Sequence, residues 1–206
     1  MESTTIAQWS KRIGAAAISA TALFTIGIGS ATAATWDLDP AHTNISFSVK
    51  HMMLSNVTGS FDKFSGTITA NDDDPKSVAI EVTIDASSVD THNEKRDGHL
   101  KSPDFFDVAK YPTITFKSAK IEPDGDNKWK VTGDLTMHGV TKPVTLEVTG
   151  PTPEVNVMGA PHRAAEATTT INRQDFGVAF NKTLDNGGLV VGNDVAITIN
   201  VDAAKK

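Results

Sequence analysis

The chain has 206 residues, 39% of them hydrophobic, 21% charged and 6% aromatic, and it contains no cysteine. It is long enough to bury a core without staples, and it cannot hold a disulfide, a thiolate nucleophile, a zinc–thiolate site or an iron–sulfur cluster. A formal net charge of −6 argues against nonspecific nucleic-acid binding, which needs clustered Lys and Arg.

Residues 1–33 differ from all that follows. Lys11 and Arg12 form a short basic region, residues 13–29 are uncharged and rich in Ala, Ile, Leu and Phe, and Ala31-Thr32-Ala33 places small residues where a signal peptidase reads. The order predicts a secretory leader cleaved after Ala33, leaving residues 34–206 as one exported domain. The rival is an uncleaved anchor, but Ser, Thr, Gly and Ala dilute the apolar run and no basic stop-transfer follows it. The basic pair is not twin-Arg, so the general export route to the periplasm is expected, with no membrane span after cleavage.

Beyond the leader, apolar residues recur with period two. Residues 44–51 place Ile45, Phe47, Val49 and His51 on one face. Residues 78–84, 113–121, 131–137, 144–148 and 195–201 alternate in the same way, and 64–70 and 163–171 do so more weakly. Turn chemistry separates them at 71–75, 123–127, 150–153 and 186–188, and the turn at 123–127 predicts a hairpin. His138-Gly139 reads as a tight turn leading into a strand at Thr141-Lys142-Pro143. The charged stretch 87–103 predicts a short helix or lid, 176–184 predicts a second irregular or helical piece, and only residues 203–206 read as a loose tail. About eight antiparallel strands need a sandwich or a closed barrel to hide their edges.

Catalytic chemistry finds little footing. No Gly-x-Ser-x-Gly elbow and no glycine-rich phosphate loop occurs. The six histidines are His42, His51, His92, His99, His138 and His162. Neither His92 with His99 nor His42 with His51 has the i, i+4 spacing of a helical zinc site, so no metal is expected. Asp104 and Asp107 flank Phe105-Phe106. Asp104 reads as a turn cap and the two rings as a plug at one end of the core. Arg173 and Asp175 read as an ion pair or backbone cap pinning a loop, and Gly177 and Gly139 as sites of special backbone angles.

Several blocks then occur in a telling order. The domain opens Thr35-Trp36-Asp37-Leu38-Asp39, followed by His42 and by the strand ending Val49-Lys50-His51-Met52. Gly59-Ser60-Phe61 and Phe64-Ser65-Gly66 follow, then HLKSPDFFDVAKYPTITFKSAK (99–120), GDLTMHGVTKPVTLEV (133–148) and INRQDFGV (171–178). In this order they resemble the YceI-like family of exported bacterial proteins, over essentially Thr35 to Val201. The resemblance implies an all-β, lipocalin-like antiparallel barrel of about eight strands closed by a short helix, with an apolar tunnel for a long-chain lipid, typically a polyisoprenoid of quinone or polyprenyl phosphate type. One departure stands out. Where the family has a small residue followed by an aromatic before the INR block, this chain has Ala165-Glu166. Glu166 shares a face with Thr168 and Thr170, and solvent is the expected side.

On that reading the tunnel wall comprises Phe47, Val49, Phe61, Phe64, Ile80, Val82, Ile114, Phe116, Leu135, Met137 and Leu146, and the polar mouth comprises His51, Arg96, His99 and Lys101. No cofactor, catalytic residue or nucleic-acid partner is expected. The partner is the lipid itself, with association into a homodimer left open. Rival readings are a carrier of fatty acids or fatty amides, an enzyme acting on such lipids, and a ligand-free stress-protective β module, the last of which predicts no tunnel.

Overall fold

The structure, a computed structural model, describes residues 33–71, 74–183 and 187–206. The expected leader lies outside the described residues except for Ala33, as do Asp72-Asp73 and Asn186 of the turn segments.

Twelve strands make one sheet that closes on itself. They are β1 (Ala34–Leu38), β2 (Asn44–His51), β3 (Ser55–Phe61), β4 (Phe64–Asn71), β5 (Asp74–Asp85), β6 (Val89–Asp90), β7 (Thr113–Pro123), β8 (Lys128–Met137), β9 (Val140–Thr149), β10 (Val155–Val157), β11 (Ala160–Asn172) and β12 (Val191–Lys205). Several are halves of one longer stave. β1 and β2 run in the same direction along one edge of β12, with Leu38 opposite Ala203 and Ile45 opposite Ile199. β3 and β4 lie beside them, because β3 pairs with β2 and β4 with β1. β5 and β6 repeat the arrangement on the next edge. With β7, β8, β9, β11 and β12 the result is a closed eight-stave antiparallel barrel, and β10 is a short flap on β11.

The alternation seen in the sequence sets which side chains point inward. On β8, Val131, Gly133 and Met137 are buried with Leu135 half-buried, while Asp134 between them is exposed. Inward Gly133 is required by close approach, since a Cβ there would lie 2.5 Å from both the Phe116 ring and the Lys117 carbonyl. The β7–β8 connection is a hairpin with Pro123 opposite Trp129, as its turn residues predict. β8 and β9 join through His138-Gly139, both with positive φ (52° and 76°), the type I′ geometry in which glycine carries no penalty.

Four strands are absent from the alternation reading: β1, β3, β6 and β10. Residues 203–205, expected to be a loose tail, are instead paired with β1. The closing seam between β9 and β11 is short, with Glu166, Ala167 and Thr168 opposite Thr149, Val148 and Glu147.

One end of the barrel is capped by helix α1 (Glu94–Lys101), inside the stretch predicted to hold a helix or lid. Asn93 caps it by accepting from the Arg96 amide. The helix buries no residue fully, and besides the packing of Leu100 on the core it is held by polar contacts. The Asp97 carboxylate accepts from the Thr91 amide at 3.0 Å and from the Thr91 hydroxyl, and these bonds lower its pKa against the opposing effect of burial. Asp97→Ala is expected to cost about 1–2 kcal/mol and to speed amide exchange in α1 selectively. Uniform acceleration across the barrel would contradict this local role. After β11, a 3-10 turn at Arg173–Phe176 and the segment reaching Phe180 complete the cap, in the region where a second irregular piece is predicted.

Among the described residues, no helix is long and apolar enough to cross a membrane.

Candidate functional site

The barrel interior holds two voids, one above the other. The first, of about 210 Å³, lies at the α1 end and presents no polar atom. Its wall includes Phe47, Val49, Phe61, Ile80, Val82, Ile114, Phe116, Leu135, Met137 and Leu146. Ten of the eleven residues predicted for a tunnel wall therefore surround one space. Phe64 does not. It packs against both core clusters beside the break between β3 and β4, and it lines a shallow outer cleft with Val108. Leu100, Phe105 and Phe106 roof the void, so the two phenylalanines plug this end as expected. Their rings join a chain of aromatic contacts from Phe47 to Phe61 (5.7 Å) and from Phe61 to Phe106 (5.8 Å).

The polar mouth drawn from sequence is not at this void. Arg96 donates from Nε to the Thr91 hydroxyl and from Nη2 to the Thr91 carbonyl, both at 2.7 Å. His99 Nε2 lies 2.8 Å from Asp104 Oδ2, and its ring stands edge-on against Phe105 and Phe180, each 4.9 Å away. Asp104 thus spends its carboxylate on His99 rather than on a turn cap. Asp107 holds the turn with its backbone instead, at φ 46°, its carbonyl accepting from the Lys110 and Tyr111 amides. His51 pairs across the sheet with Val191 and Ser55, and Lys101 ends α1. Neither borders the void. Arg96 and His99 tie the cap together, and sequence proximity to the lid brings none of the four to the cavity.

Arg173 is the surprise at this end. It is 4% exposed, and its methylenes border the void. Its expected partner Asp175 is exposed and is not bonded to it. Instead the guanidinium donates to the carbonyls of Val178 (2.6 Å), Gly192 (2.8 Å) and Val191 (3.3 Å). Burial pushes its pKa down. The residue does pin the loop, through backbone carbonyls, and Gly177 ends the 3-10 turn in the left-handed region at φ 78°.

The second void, of about 270 Å³, lies towards the opposite end, with Ile80 bordering both. Trp36, Ile68, Val78, Ile121, Trp129, Val131 and Val201 line it, together with Ala165 and Arg163. The Trp129 indole donates to the Gly150 carbonyl at 2.9 Å. Glu166 is exposed on the outer face, which answers the question of its orientation. Of the residues predicted for the tunnel wall, Ile80 alone borders this chamber. Its signal was the continuation of the inward stripes of β11 and β12 to their charged ends.

On the outer face near this end, Asp39 meets His42 Nδ1 at 2.6 Å and Asp202 meets His162 Nδ1 at 2.6 Å. Asp39, His162 and Asp202 bring one ligand atom each within 4.8 Å of one another. Both aspartates already have a histidine, so the group reads as two Asp–His pairs. The hydrogen bond raises the His42 pKa and lowers that of Asp39. A raised His stabilises below its unfolded pKa and loses that contribution as pH rises through the folded value. A lowered Asp contributes above its unfolded pKa and loses it as pH falls through the folded value. The pair therefore acts in the mildly acidic range between the two. An NMR titration is expected to place the His42 midpoint above the ordinary histidine value and to bring it down in Asp39→Asn. An unchanged midpoint would contradict the pairing.

Comparison with known proteins agrees with this architecture. Residues 36–203 match the YceI-like domain. The chain is 39% identical over 158 residues to a UPF0312 protein of Staphylococcus aureus strain N315, covering 76% of this chain and 90% of that one. Among solved structures it is similar to BcnA of Burkholderia cenocepacia (28% identity, TM-score 0.69, 80% of this chain and 98% of that one). It is also similar to the YCEI protein of Campylobacter jejuni (32% identity, TM-score 0.62, 82% and 96%). A polyisoprenoid binding domain from Saccharophagus degradans, implicated in plant cell wall breakdown, shares the fold at 18% identity (TM-score 0.62, 83% and 98%). By the span of the domain match and the identity to its relatives, the chain belongs to the YceI-like family.

Proposed function

We propose that this protein is a periplasmic carrier that holds a long-chain polyisoprenoid inside its barrel, for transport, storage or sequestration. The observation that carries this reading is the void at the α1 end, whose wall presents no polar atom. Burying hydrocarbon in such a space is worth about 0.8 kcal/mol per CH₂ before the cost of ordering the chain. A hydrocarbon tail can therefore bind there without any polar contact, and selectivity falls to the shape of the space. The fold shared with a polyisoprenoid binding domain supports the same ligand class. That its lining residues Ser46, Thr169 and Arg173 expose no polar atom to the void supports a carrier over a catalyst. The basic, apolar, small-residue order of residues 1–33 supports export.

The test is native mass spectrometry of protein purified without detergent from an exporting host, beside a denatured mass that locates the cleavage. An isoprenoid mass lost on organic extraction is the expected result. A fatty-acid or fatty-amide mass would keep the carrier and replace its ligand. Bare protein that also refuses added isoprenoid would overturn the reading.

A further inference from the structure

The connection between β2 and β3 works against its own turn chemistry. The Leu54 amide donates to the His51 carbonyl at 3.0 Å and closes a four-residue turn. Its two central residues, Met52 and Met53, both have positive φ (50° and 61°). That is the type I′ pattern, which favours Asn-Gly and penalises any residue with a large side chain. The turn also holds its apolar side chains in water. Met52, Met53 and Leu54 are 41%, 58% and 84% exposed. Neither turn geometry nor packing accounts for three consecutive large apolar residues in solvent, and a patch of this kind marks a binding surface.

The place of the tip in the fold says what it meets. It prolongs the wall of the α1 chamber. Val49 and Val191 line that void, His51 pairs with Val191, and the Met52 amide donates to the Val190 carbonyl at 2.8 Å. Two exposed lysines flank it. Lys50 precedes the turn, and Lys182 lies one rung away, its carbonyl accepting from the Val190 amide at 2.9 Å. The chain has 25 Asp and Glu, yet residues 40–61 and 176–184, which carry these two lysines, contain none. The tip is therefore an apolar point with a basic collar on an acidic protein.

A second copy is a poor fit to that shape. A stable dimer buries about 1,200–2,000 Å² in total, more than three residues at the end of one hairpin supply. A lipid surface asks less: a few apolar side chains pass the headgroups, and basic ones rest among anionic phosphates. We infer that the α1 end docks on an anionic bilayer, with Met52, Met53 and Leu54 in the acyl boundary and Lys50 and Lys182 at the headgroups. This pose sets the capped apolar chamber against the membrane, so the docked end is the loading end. The loading role rests on the carrier reading; the docking does not.

The chain has no cysteine, so a single introduced thiol carries a label to a chosen place. Exported protein freed of its leader, with the denatured mass as the check, is labelled with nitrobenzoxadiazole at Ser55→Cys beside the tip or at Met158→Cys. Met158 is fully exposed in the β10–β11 turn at the opposite end. On vesicles of equal parts phosphatidylethanolamine and phosphatidylglycerol, the Ser55→Cys label is expected to shift to the blue and brighten at least about twofold, while the Met158→Cys label stays unchanged. Binding to phosphatidylcholine vesicles should be at least about fivefold weaker. Met52→Asn with Met53→Gly gives the turn the residues it favours, so the melt should not fall, yet vesicle affinity should drop at least about tenfold. An unmoved tip label, equal responses at both ends, or undiminished binding by the Asn-Gly variant would overturn the docking. A tip label that changes with protein concentration in the absence of vesicles would assign the tip to a second copy and overturn the bilayer. Uptake of an isoprenoid alcohol from the same vesicles separates the two readings. Docking without uptake supports the docked pose and removes the carrier, whereas equal uptake by the Asn-Gly variant keeps the carrier and overturns the loading role.

Discussion

Arg173→Met is expected to shift the urea midpoint down by about 1–2 M, a loss of roughly 2–5 kcal/mol. The methionine preserves the aliphatic packing against the apolar void, so the change isolates the guanidinium. Its donors satisfy the carbonyls of Val178, Val191 and Gly192, and Val178 itself is only 3% exposed. Removing them takes the donor from the Val178 and Gly192 carbonyls, at about 1–3 kcal/mol each, while the Val191 carbonyl keeps the Asn181 side-chain amide at 3.3 Å. The loss should appear first as faster amide exchange in residues 174–181 and at the start of β12, because Arg173 bonds both segments, beside the Asn181–Val191 and Val190–Lys182 hydrogen bonds that remain. A midpoint shift below about 0.3 M would mean that water replaces the guanidinium freely, and the cap would then be held by its aromatic contacts.

Leu135→Trp is expected to abolish binding of a C20 isoprenoid alcohol, weakening it at least about a hundredfold, while the fold persists. Leu135 is half-buried and faces the void between Phe116 and Met137, so the larger ring has space to enter. Overpacking costs about 1–3 kcal/mol in a filled core, and the existing void holds the cost towards the lower figure. A thermal melt and a lipid titration on the same sample separate the two effects. Retained binding with an unchanged melt would place the ligand elsewhere. Phe116→Asp removes binding by a different route, by putting a carboxylate among hydrocarbon, but its burden on the fold makes it the less discriminating variant.

The barrel wall was legible because period two is read directly. On β8 the sequence Val131, Gly133, Leu135, Met137 already names the inward face, and the structure keeps that phase. β1 and β3 were not legible by the same rule. Ala34–Leu38 is short, and Ser55–Phe61 carries Ser, Asn, Thr and Gly at positions where the sheet is held by neighbouring strands. β3 is a strand because β2 offers it six paired residues, from Ser46 opposite Ser60 to His51 opposite Ser55. Partner strands, distant in sequence, override local preference.

The polar side of the site was the harder half. His51, Arg96, His99 and Lys101 sit near the lid in sequence, yet the two that bond strongly serve Thr91 and Asp104. What borders the far chamber depends on where a long inward stripe ends. Arg163 opens the inward stripe of β11 and lines that chamber. Lys205 lies two residues past Ala203 on the apolar face of β12, beyond both voids, in a segment dismissed as a tail because its apolar alternation fades there. Charges at the ends of apolar stripes mark the rims of a barrel, and neither residue stands out until both strands are seen side by side.

β12 carries a further consequence, for the time course of folding. Along one edge it pairs with eleven residues of β11, and along the other with both β1 and β2. Trp36 faces Lys205 across nearly the whole length of the domain. No arrangement of the preceding strands closes the ring without it, so the nascent chain remains an open, curved sheet until the twelfth strand is available. Pairings this remote in sequence are entropically late. A polypeptide that cannot seal itself early stays threadable, the condition under which a chain can pass a membrane before it folds.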